Sequence, residues 1–303
     1  MSCDALNGKK ITWHHFSALE ENDFSVLEKE FKFHPLDFDD LREEHIFPKL
    51  DIYKHYLFSI FSVPFYLQEE SIIKKLDLAI FIGNDYIVTV SRTPIESVER
   101  FFARARRSTG LRREILNNSS GYLVYRLLDY VFRDAKVVLQ VLSRETQEIQ
   151  EQVYSHHSQG TTRRLGLLRR DLLFFRHIID PQRILLPQFL NTKKVFMPES
   201  LDIYFDDLKD TFDGMWVVAD NLKNILDCLF DVNEAFLSHK TNEIIRILTI
   251  ISVILMPPTL ISSYYGMNID RLPFAHSIEL VSLIILFSLL VAFVLIIVLD
   301  KRR

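Results

Sequence analysis

The chain has very little glycine and almost no cysteine. Eight glycines in 303 residues disfavour turn-rich all-β architectures and fit long, uninterrupted helices. The two cysteines, Cys3 and Cys228, lie far apart and match no disulfide or zinc spacing. We therefore expect both to be reduced thiols that face a cytosolic environment.

The chain also lacks a charge excess of either sign. It has 36 basic and 40 acidic residues and a formal net charge of −4, which gives no global argument for nucleic-acid binding. Two basic segments, residues 104–113 and 163–171, lie on predicted helices that also carry acidic residues, and no aromatic stacking residues alternate with them. We interpret both as solvated helix faces and expect no nucleic-acid partner.

Long hydrophobic runs are absent from the start of the chain but present at its end. Charged residues interrupt the first thirty positions, so no secretory signal is expected there. Residues 244–265 contain Arg246 as their only charge, and residues 280–299 contain none. Each run reaches the roughly 20 residues that a helix needs to cross the bilayer core. We predict two membrane spans rather than two buried core helices.

Basic residues around these runs predict their orientation. Lys240 and Arg246 lie at the first run, and residues 301–303 after the second run are all basic, whereas the connector holds only Arg271. Because basic residues concentrate in cytoplasmic loops, we expect a multi-pass protein of the cell (inner) membrane with both termini in the cytoplasm. The connector is then the whole outward-facing loop.

The first part of the chain has mixed α and β character. Residues 56–67 and 76–90 are rich in β-branched and aromatic residues, and Gly83-Asn84-Asp85 supplies a hairpin turn. These patterns predict an α+β cytoplasmic domain.

Helical patterns dominate from Pro94 onwards. Proline favours the first turn of a helix, and the helical stretch that it begins continues to residue 193 with breaks near 117–121 and 155–162. We predict a helical hairpin there.

A long stalk helix is predicted next. From about residue 199 the chain contains only Gly214 as a glycine and no proline before Pro257, so one helix can continue into the membrane. Its apolar residues recur in steps of three and four, which indicates a seam for partner helices. The seam comprises Leu201, Phe205, Leu208, Phe212, Met215, Leu222, Leu226, Leu229 and Phe236.

A row of acidic residues accompanies this seam. Its members recur every seven residues or stand four after one that does: Asp206, Asp210, Asp213, Asp220, Asp227, Asp231 and Glu234. Lys209 and Lys223 lie off the row, so like-charge repulsion is expected to cost stability. Divalent cations would remove that cost, and the alternative is an ordinary solvated face.

The same face continues into the first span. Polar positions alternate there with apolar ones: Asn242, Ile245, Leu248, Ser252, Met256 and Thr259. In a symmetric bundle they would form rings, an alternation that suits a pore with weak binding sites and apolar gates. Two spans cannot enclose a water-filled pathway, so transport implies a cyclic oligomer. We expect Pro257-Pro258 to bend the helix above the constriction.

The segment at the outer end of the first span resembles the CorA family of divalent-cation channels. The family motif Tyr-Gly-Met-Asn is present as Tyr265, Gly266, Met267 and Asn268, and residues 240–268 are similar to the family's stalk-to-pore segment. Residues 34–41, 48–58 and 81–92 resemble its cytoplasmic domain.

The resemblance implies a homopentamer in membrane lipid, with a cytoplasmic funnel, long stalk helices and a central pore. Gly266, Met267 and Asn268 would form the selectivity filter, in which the Asn268 amide oxygen holds hydrated Mg²⁺. Co²⁺ or Ni²⁺ would also pass. Intracellular Mg²⁺ would regulate the channel at Asp207 and Asp231, with a partner carboxylate among Glu69, Glu70 and Asp77.

The domains expected on this basis are a cytoplasmic α/β and helical-hairpin domain (1–193), a stalk helix (194–243), a pore helix (244–265), an external loop with the motif (266–279), and a second span with a basic tail (280–303).

The external loop departs from the family pattern. Many Mg²⁺-transporting members have an acidic residue after the loop proline, whereas Phe274 follows Pro273 here, with Asp270 and Arg271 before it. This leaves room for the zinc-transporting, ZntB-like branch, in which transport is coupled to protons, and His276 could favour Zn²⁺.

Two other classes of function are less compatible with the sequence than transport. A membrane-anchored scaffold is disfavoured by the continuous polar face. An enzyme acting on an organic substrate is disfavoured because the pairs His14-His15 and His156-His157 have no carboxylates at ligand spacing, and neither a nucleophile motif nor a phosphate-binding loop is visible.

Overall fold

The structure, a computed structural model, describes residues 3–19, 21–42, 48–67, 72–155, 159–192, 196–267, 273 and 277–300. The strands in this part of the chain are β1 (Cys3–Asn7), β2 (Thr12–Ser17), β3 (Lys49–Ile52), β4 (Leu57–Leu67), β5 (Ile72–Ile82) and β6 (Tyr86–Ser91). The helices are α1 (Glu21–Glu30), α2 (Pro35–Arg42), α3 (Glu96–Arg107), α4 (Thr109–Leu116), α5 (Ser120–Ser155), α6 (Gln159–Leu190), α7 (Asp202–Tyr265) and α8 (Ile278–Asp300).

The six strands form one mixed sheet in the order β1-β2-β6-β5-β4-β3. β2 and β6 pair in parallel, and the other neighbours pair antiparallel. β4 and β5 form the longest ladder, from Leu57 opposite Ile82 to Leu67 opposite Ile72. The alternation of β-branched and aromatic residues in these strands suits a pleated, half-buried surface, and the α+β prediction is confirmed.

The predicted hairpin turn at residues 83–85 joins β5 to β6. The Gly83 amide donates to the Tyr86 carbonyl at 3.0 Å. A side chain at Gly83 would meet the Tyr86 ring, because a Cβ built there lies 2.4 Å from Tyr86 Cε1. Close approach of this ring, rather than a left-handed backbone, therefore explains the glycine.

Helices cover both faces of the sheet. On one face, α1 and α2 pack through Phe24, Leu27, Phe38 and other residues onto a core of strand side chains that includes Phe81. On the other face, Phe61 of β4 contacts Phe132 of α5 and Phe189 of α6. Alternate strand residues thus enter different cores, as the two-residue period of a strand requires.

The helical hairpin and the long helix are both present. α5 ends at Ser155 and α6 begins at Gln159, where the sequence predicts a break, and α7 is continuous over 64 residues. Inside the hairpin, α6 accommodates Pro181 and Pro187. The apolar seam of α7 packs on helices of its own chain, since Phe212 contacts Phe132 and Phe205 stacks on Phe189.

By its internal contacts the chain divides into two compact units, residues 1–230 and 231–303. The first unit contains the sheet, α1–α6 and the start of α7. The second contains the rest of α7 and α8. The finer domain boundaries expected from the sequence stay a prediction.

Candidate ion pathway

The apolar part of α7 has the length and composition of a membrane span. Among the described residues, the helix that ends at Tyr265 is the one long and apolar enough to cross a membrane, and none of its apolar window is buried. The apolar helix Ile278–Val294, which lies within α8, is shorter by the same measure. α7 remains helical through this segment and continues through Pro257 and Pro258.

The six candidate pore residues share one face of α7. Successive positions are about 100° apart around a helix, so Asn242, Ile245, Leu248, Ser252, Met256 and Thr259 fall within an arc of about 120°. All six are exposed in the single chain. Leu248 and Met256 are exposed by 63% and 69%, which is unusual for large apolar side chains unless other chains or lipid cover them.

The hydroxyl groups on this face have their hydrogens engaged within the helix. Ser252 Oγ donates to the Leu248 carbonyl at 2.9 Å, and Thr259 Oγ1 donates to the Leu255 carbonyl at 2.7 Å. The oxygen of each hydroxyl then keeps lone pairs that accept hydrogen bonds. A hydrated cation presents water O–H groups, so this face offers it acceptors.

The described residues continue past the end of α7 at Tyr265 to Met267. Tyr264 and Tyr265 pack edge to face at 5.5 Å, as suits a membrane interface. The Gly266 amide donates to the Ser262 carbonyl at 2.9 Å, and a Cβ at Gly266 would lie 3.1 Å from that oxygen. The filter residue Asn268 lies outside the described residues, as do Asp270, Arg271, Phe274 and His276.

The two candidate regulatory carboxylates are available for a ligand. Asp207 and Asp231 are both exposed, and neither forms an ion pair within the described parts of the chain. They lie many turns apart on α7, so one ion cannot bind both in a single chain. Of their candidate partners, Glu69 and Glu70 fall outside the described residues.

Asp77, the third candidate partner, already has contacts. Ser62 Oγ donates to Asp77 Oδ1 at 2.7 Å, and Lys75 Nζ lies 3.2 Å from Asp77 Oδ2. A metal ion at this carboxylate would compete with the lysine ammonium.

The expectation that the acidic row suffers unrelieved repulsion is wrong. Arginines of α6 neutralise its central members: Arg183 pairs with Asp213, Arg176 with Asp220, and Arg169 with Asp227. Lys209 and Lys223, which the sequence places off the row, also pair with Asp213 and Asp227. The central row is therefore a helix–helix contact and offers no free cation site.

A second group of carboxylates lies where α2 meets β3. The carboxylate oxygens of Asp37, Asp40 and Asp51 lie within 4.8 Å of one another, and Lys49 Nζ pairs with Asp40 and, at 2.7 Å, with Asp51. Although burial opposes it, these hydrogen bonds raise the pKa of Lys49. The Lys49 ammonium thus lies among these carboxylates in the place that a metal ion would take.

Asp37 is the buried member of that group. Tyr53 and Tyr56 donate hydrogen bonds to its two carboxylate oxygens at 2.7 and 2.6 Å. Burial raises the pKa of Asp37 and outweighs these hydrogen bonds, which lower it. This contact ties together two segments, 34–41 and 48–58, that carry the family resemblance.

One histidine proves to have a carboxylate partner that sequence spacing does not reveal. Nε2 of buried His15 lies 3.0 Å from Glu99 Oε1, and Nδ1 of the same ring lies 2.9 Å from Thr89 Oγ1. Trp13 Nε1 also donates to Thr89 Oγ1. Trp13, His15 and Thr89 are fully or almost fully buried, whereas the Glu99 side chain is 39% exposed, so only the carboxylate of this group reaches the surface. His156 and His157 lie outside the described residues.

Comparisons with known proteins agree with this architecture. Residues 8–302 match the family described as CorA-like Mg²⁺ transporter protein. The chain is 26% identical over 263 residues to the cobalt/magnesium transport protein CorA of Thermotoga maritima, covering 86% of this chain and 74% of that protein.

Solved structures with the same fold include a complete transporter and a cytoplasmic domain. The complete CorA magnesium transporter of Methanocaldococcus jannaschii superposes with a TM-score of 0.81 at 20% identity, covering 94% of this chain and 90% of that one. The ZntB cytoplasmic domain of Vibrio parahaemolyticus gives a TM-score of 0.63 at 11% identity, covering 78% and 91%. At these identities the likeness is one of fold.

Proposed function

Since this chain belongs to the family of CorA-like Mg²⁺ transporters, and is thus a divalent-cation transporter of the membrane and not an enzyme, we propose that it forms a homopentameric Mg²⁺ channel closed by intracellular Mg²⁺. Co²⁺ and Ni²⁺ are the further cargo ions. Both termini lie in the cytoplasm, and the short loop before α8 faces outward.

The observation that carries this proposal is the face of α7 described above. Apolar side chains at Ile245, Leu248 and Met256 alternate along it with hydrogen-bond acceptors at Ser252 and Thr259. Mg²⁺ dehydrates reluctantly and is recognised through its waters, so acceptor rings suit it. Narrow apolar rings between them close the path by excluding water.

Selectivity is assigned to the residues just beyond this face. Five copies of Asn268, with Gly266 and Met267, form the outer ring, and the amide oxygens accept hydrogen bonds from the waters of the arriving ion.

Gating is assigned to Asp207 and Asp231. A carboxylate without an internal counter-ion attracts a hard cation, and each of these two would share Mg²⁺ with a ligand from a neighbouring subunit. Occupied sites hold the subunits together and keep the apolar rings narrow. When intracellular Mg²⁺ falls, the sites empty and the pore widens.

Zinc transport coupled to protons is the second candidate. It is favoured by Phe274 after Pro273 and by His276 in the same loop. It uses the same scaffold with a different metal and driving force.

Flux into liposomes containing the purified chain separates these candidates. The proposal predicts Mg²⁺ uptake that Co²⁺ and Ni²⁺ inhibit by competition and that a pH gradient leaves unchanged. Asn268→Ala should lower Mg²⁺ uptake, while Asn224→Ala, an exposed asparagine of α7 outside the pore segment, should not. Zn²⁺ uptake that requires the pH gradient would favour the second candidate, and no flux of any metal would indicate a scaffold.

A further inference from the structure

Three arginines of α6 and three aspartates of α7 form a regular ladder of ion pairs. The rungs are Arg169–Asp227 at 3.0 Å, Arg176–Asp220 at 3.0 Å and Arg183–Asp213 at 2.5 Å. Moving seven residues forward in α6 moves the partner seven residues back in α7, so the helices are antiparallel with one fixed register. We call these six residues the Arg–Asp ladder.

The ladder is reinforced at both ends and in its middle. Lys209 and Lys223 contribute second cations to Asp213 and Asp227 at 3.2 and 2.7 Å. Trp216 lies between two rungs, with its ring centroid 4.5 Å from Arg183 Cζ and 5.6 Å from Arg176 Cζ. Its ring face therefore holds both guanidinium groups close to the aspartates.

The ladder is better suited to fixing the position of α7 against α6 than to increasing the free energy of unfolding. Its side chains are 23–44% exposed, and ion pairs at such sites contribute little to the free energy of folding. Stability comes instead from the buried seam beside it, which includes Phe205, Phe212 and Leu226. Charged pairs beside an apolar seam restrict how two helices pack, and this ladder opposes rotation of α7 and shifts of less than a heptad.

α7 carries the residues on which the proposed gating depends. Asp207 lies six residues before the first aspartate of the ladder, and Asp231 lies four residues after the last. Sliding α7 by one whole heptad against α6 would keep apolar contacts and bring Asp206 or Glu234 opposite the end arginine, so the ladder resists shifts of less than a heptad. A rotation of α7 would break all three rungs and turn the carboxylates away from their partners.

We propose that the Arg–Asp ladder positions α7 against α6 and thereby sets the intracellular Mg²⁺ concentration at which the channel closes. This inference rests on the proposed function, because it concerns the regulation of that same channel. Arg169, Arg176 and Arg183 are positioning residues that do not touch the ion.

The test uses the full chain in liposomes and reverses one rung at a time. Arg176→Asp and Asp220→Arg should each raise the internal Mg²⁺ concentration for half-inhibition of flux by about fivefold, because fewer channels hold α7 in the closing register. Combining them restores an ion pair of opposite polarity and should return the value to within about twofold of wild type.

Two controls separate positioning from damage. Arg163→Asp makes the same charge change at an exposed arginine of α6 for which the described chain shows no ion pair, and should leave half-inhibition unchanged. Arg176→Gln removes the rung without adding repulsion and keeps the test informative if a reversed charge prevents folding. Melting temperatures should differ little among the variants that show shifted inhibition.

The outcomes distinguish this inference from the proposed function. If wild-type flux is inhibited by internal Mg²⁺ but Arg176→Asp, Asp220→Arg and Arg176→Gln are inhibited identically, the ladder has no positioning role. A shift that the double exchange fails to reverse also overturns it. If wild-type flux shows no inhibition by internal Mg²⁺, the proposed gating itself fails and the inference falls with it.

Discussion

The buried environment of Asp37 changes its pKa and so makes its contribution to stability depend on pH. It is completely buried, it accepts hydrogen bonds from Tyr53 and Tyr56, and burial raises its pKa. Below the ordinary carboxyl pKa of about 3.9 the group is neutral in both folded and unfolded chains. As pH rises from there through the raised folded-state pKa, ionisation costs more in the folded state, so its contribution to stability declines.

Replacing Asp37 with asparagine removes this titration and keeps an oxygen that accepts a tyrosine hydrogen bond. We expect the melting temperature of Asp37→Asn, relative to wild type, to rise between pH 4 and pH 7. Thermal unfolding of both proteins in the same detergent at each pH measures it. Asp39→Asn, an exposed aspartate of the same helix, is the control. A relative melting temperature that stays constant or falls as pH rises would show that Asp37 does not carry the pH dependence.

The positions of the candidate pore residues could be read from the sequence, but their hydrogen bonds could not. Steps of three and four from Asn242 to Thr259 place them on one face of any continuous helix, and α7 is continuous there. The direction of each hydroxyl depends on its side-chain rotamer. In one of several rotamers the hydroxyl donates a hydrogen bond to the carbonyl four residues earlier. The structure supplies that choice for Ser252 and Thr259.

The hydroxyl groups of Ser252 and Thr259 in α7 are expected to support Mg²⁺ flux. Ser252→Ala with Thr259→Val removes two acceptors from the pore face but no contact between helices, because each hydroxyl bonds within its own helix. We expect Mg²⁺ flux to fall by about thirtyfold, since two lost hydrogen bonds of about 1 kcal/mol each correspond to that factor, with little change in melting temperature.

The matched control for that variant is Ser288→Ala on α8. Its hydroxyl donates to the Ile285 carbonyl at 2.8 Å, so the same chemistry is removed outside the proposed pore face. Equal flux losses in the two variants, measured at equal protein content of the liposomes, would contradict the assignment of α7 as the pore helix.

Helix ends and helix lengths were largely predictable, whereas contacts between helices were not. The break between α5 and α6 follows from the serine- and glycine-containing segment 155–162, and the length of α7 from the scarcity of glycine and proline between residues 199 and 257. The acidic row, by contrast, was interpreted from α7 alone. Arg169, Arg176 and Arg183 share its seven-residue spacing, but only the register of α6 against α7 shows that they face Asp227, Asp220 and Asp213. The register between two helices depends on packing between segments that are distant in sequence. It cannot be predicted from the residue pattern of one helix.

For the whole molecule, the exposure of the pore face is the argument for assembly. Each chain leaves the polar and apolar positions of α7 from Asn242 to Thr259 uncovered, and two apolar helices cannot enclose water. In the proposed cyclic oligomer each position would form a ring, and Asp207 and Asp231 would each share Mg²⁺ with a neighbouring subunit. On this proposal selectivity and gating are properties of the oligomer, whereas the sheet, the core and the Arg–Asp ladder are present in the single chain.

The measurement that tests the account most directly is Mg²⁺ influx into liposomes as a function of the Mg²⁺ inside them. Wild type should conduct Mg²⁺ at low internal Mg²⁺ and close as it rises, and Asp202→Ala, at the start of α7, should behave likewise. Asp207→Ala combined with Asp231→Ala should keep conducting at high internal Mg²⁺. Unchanged inhibition in that double variant, or no Mg²⁺ flux through the wild-type protein, would contradict the account.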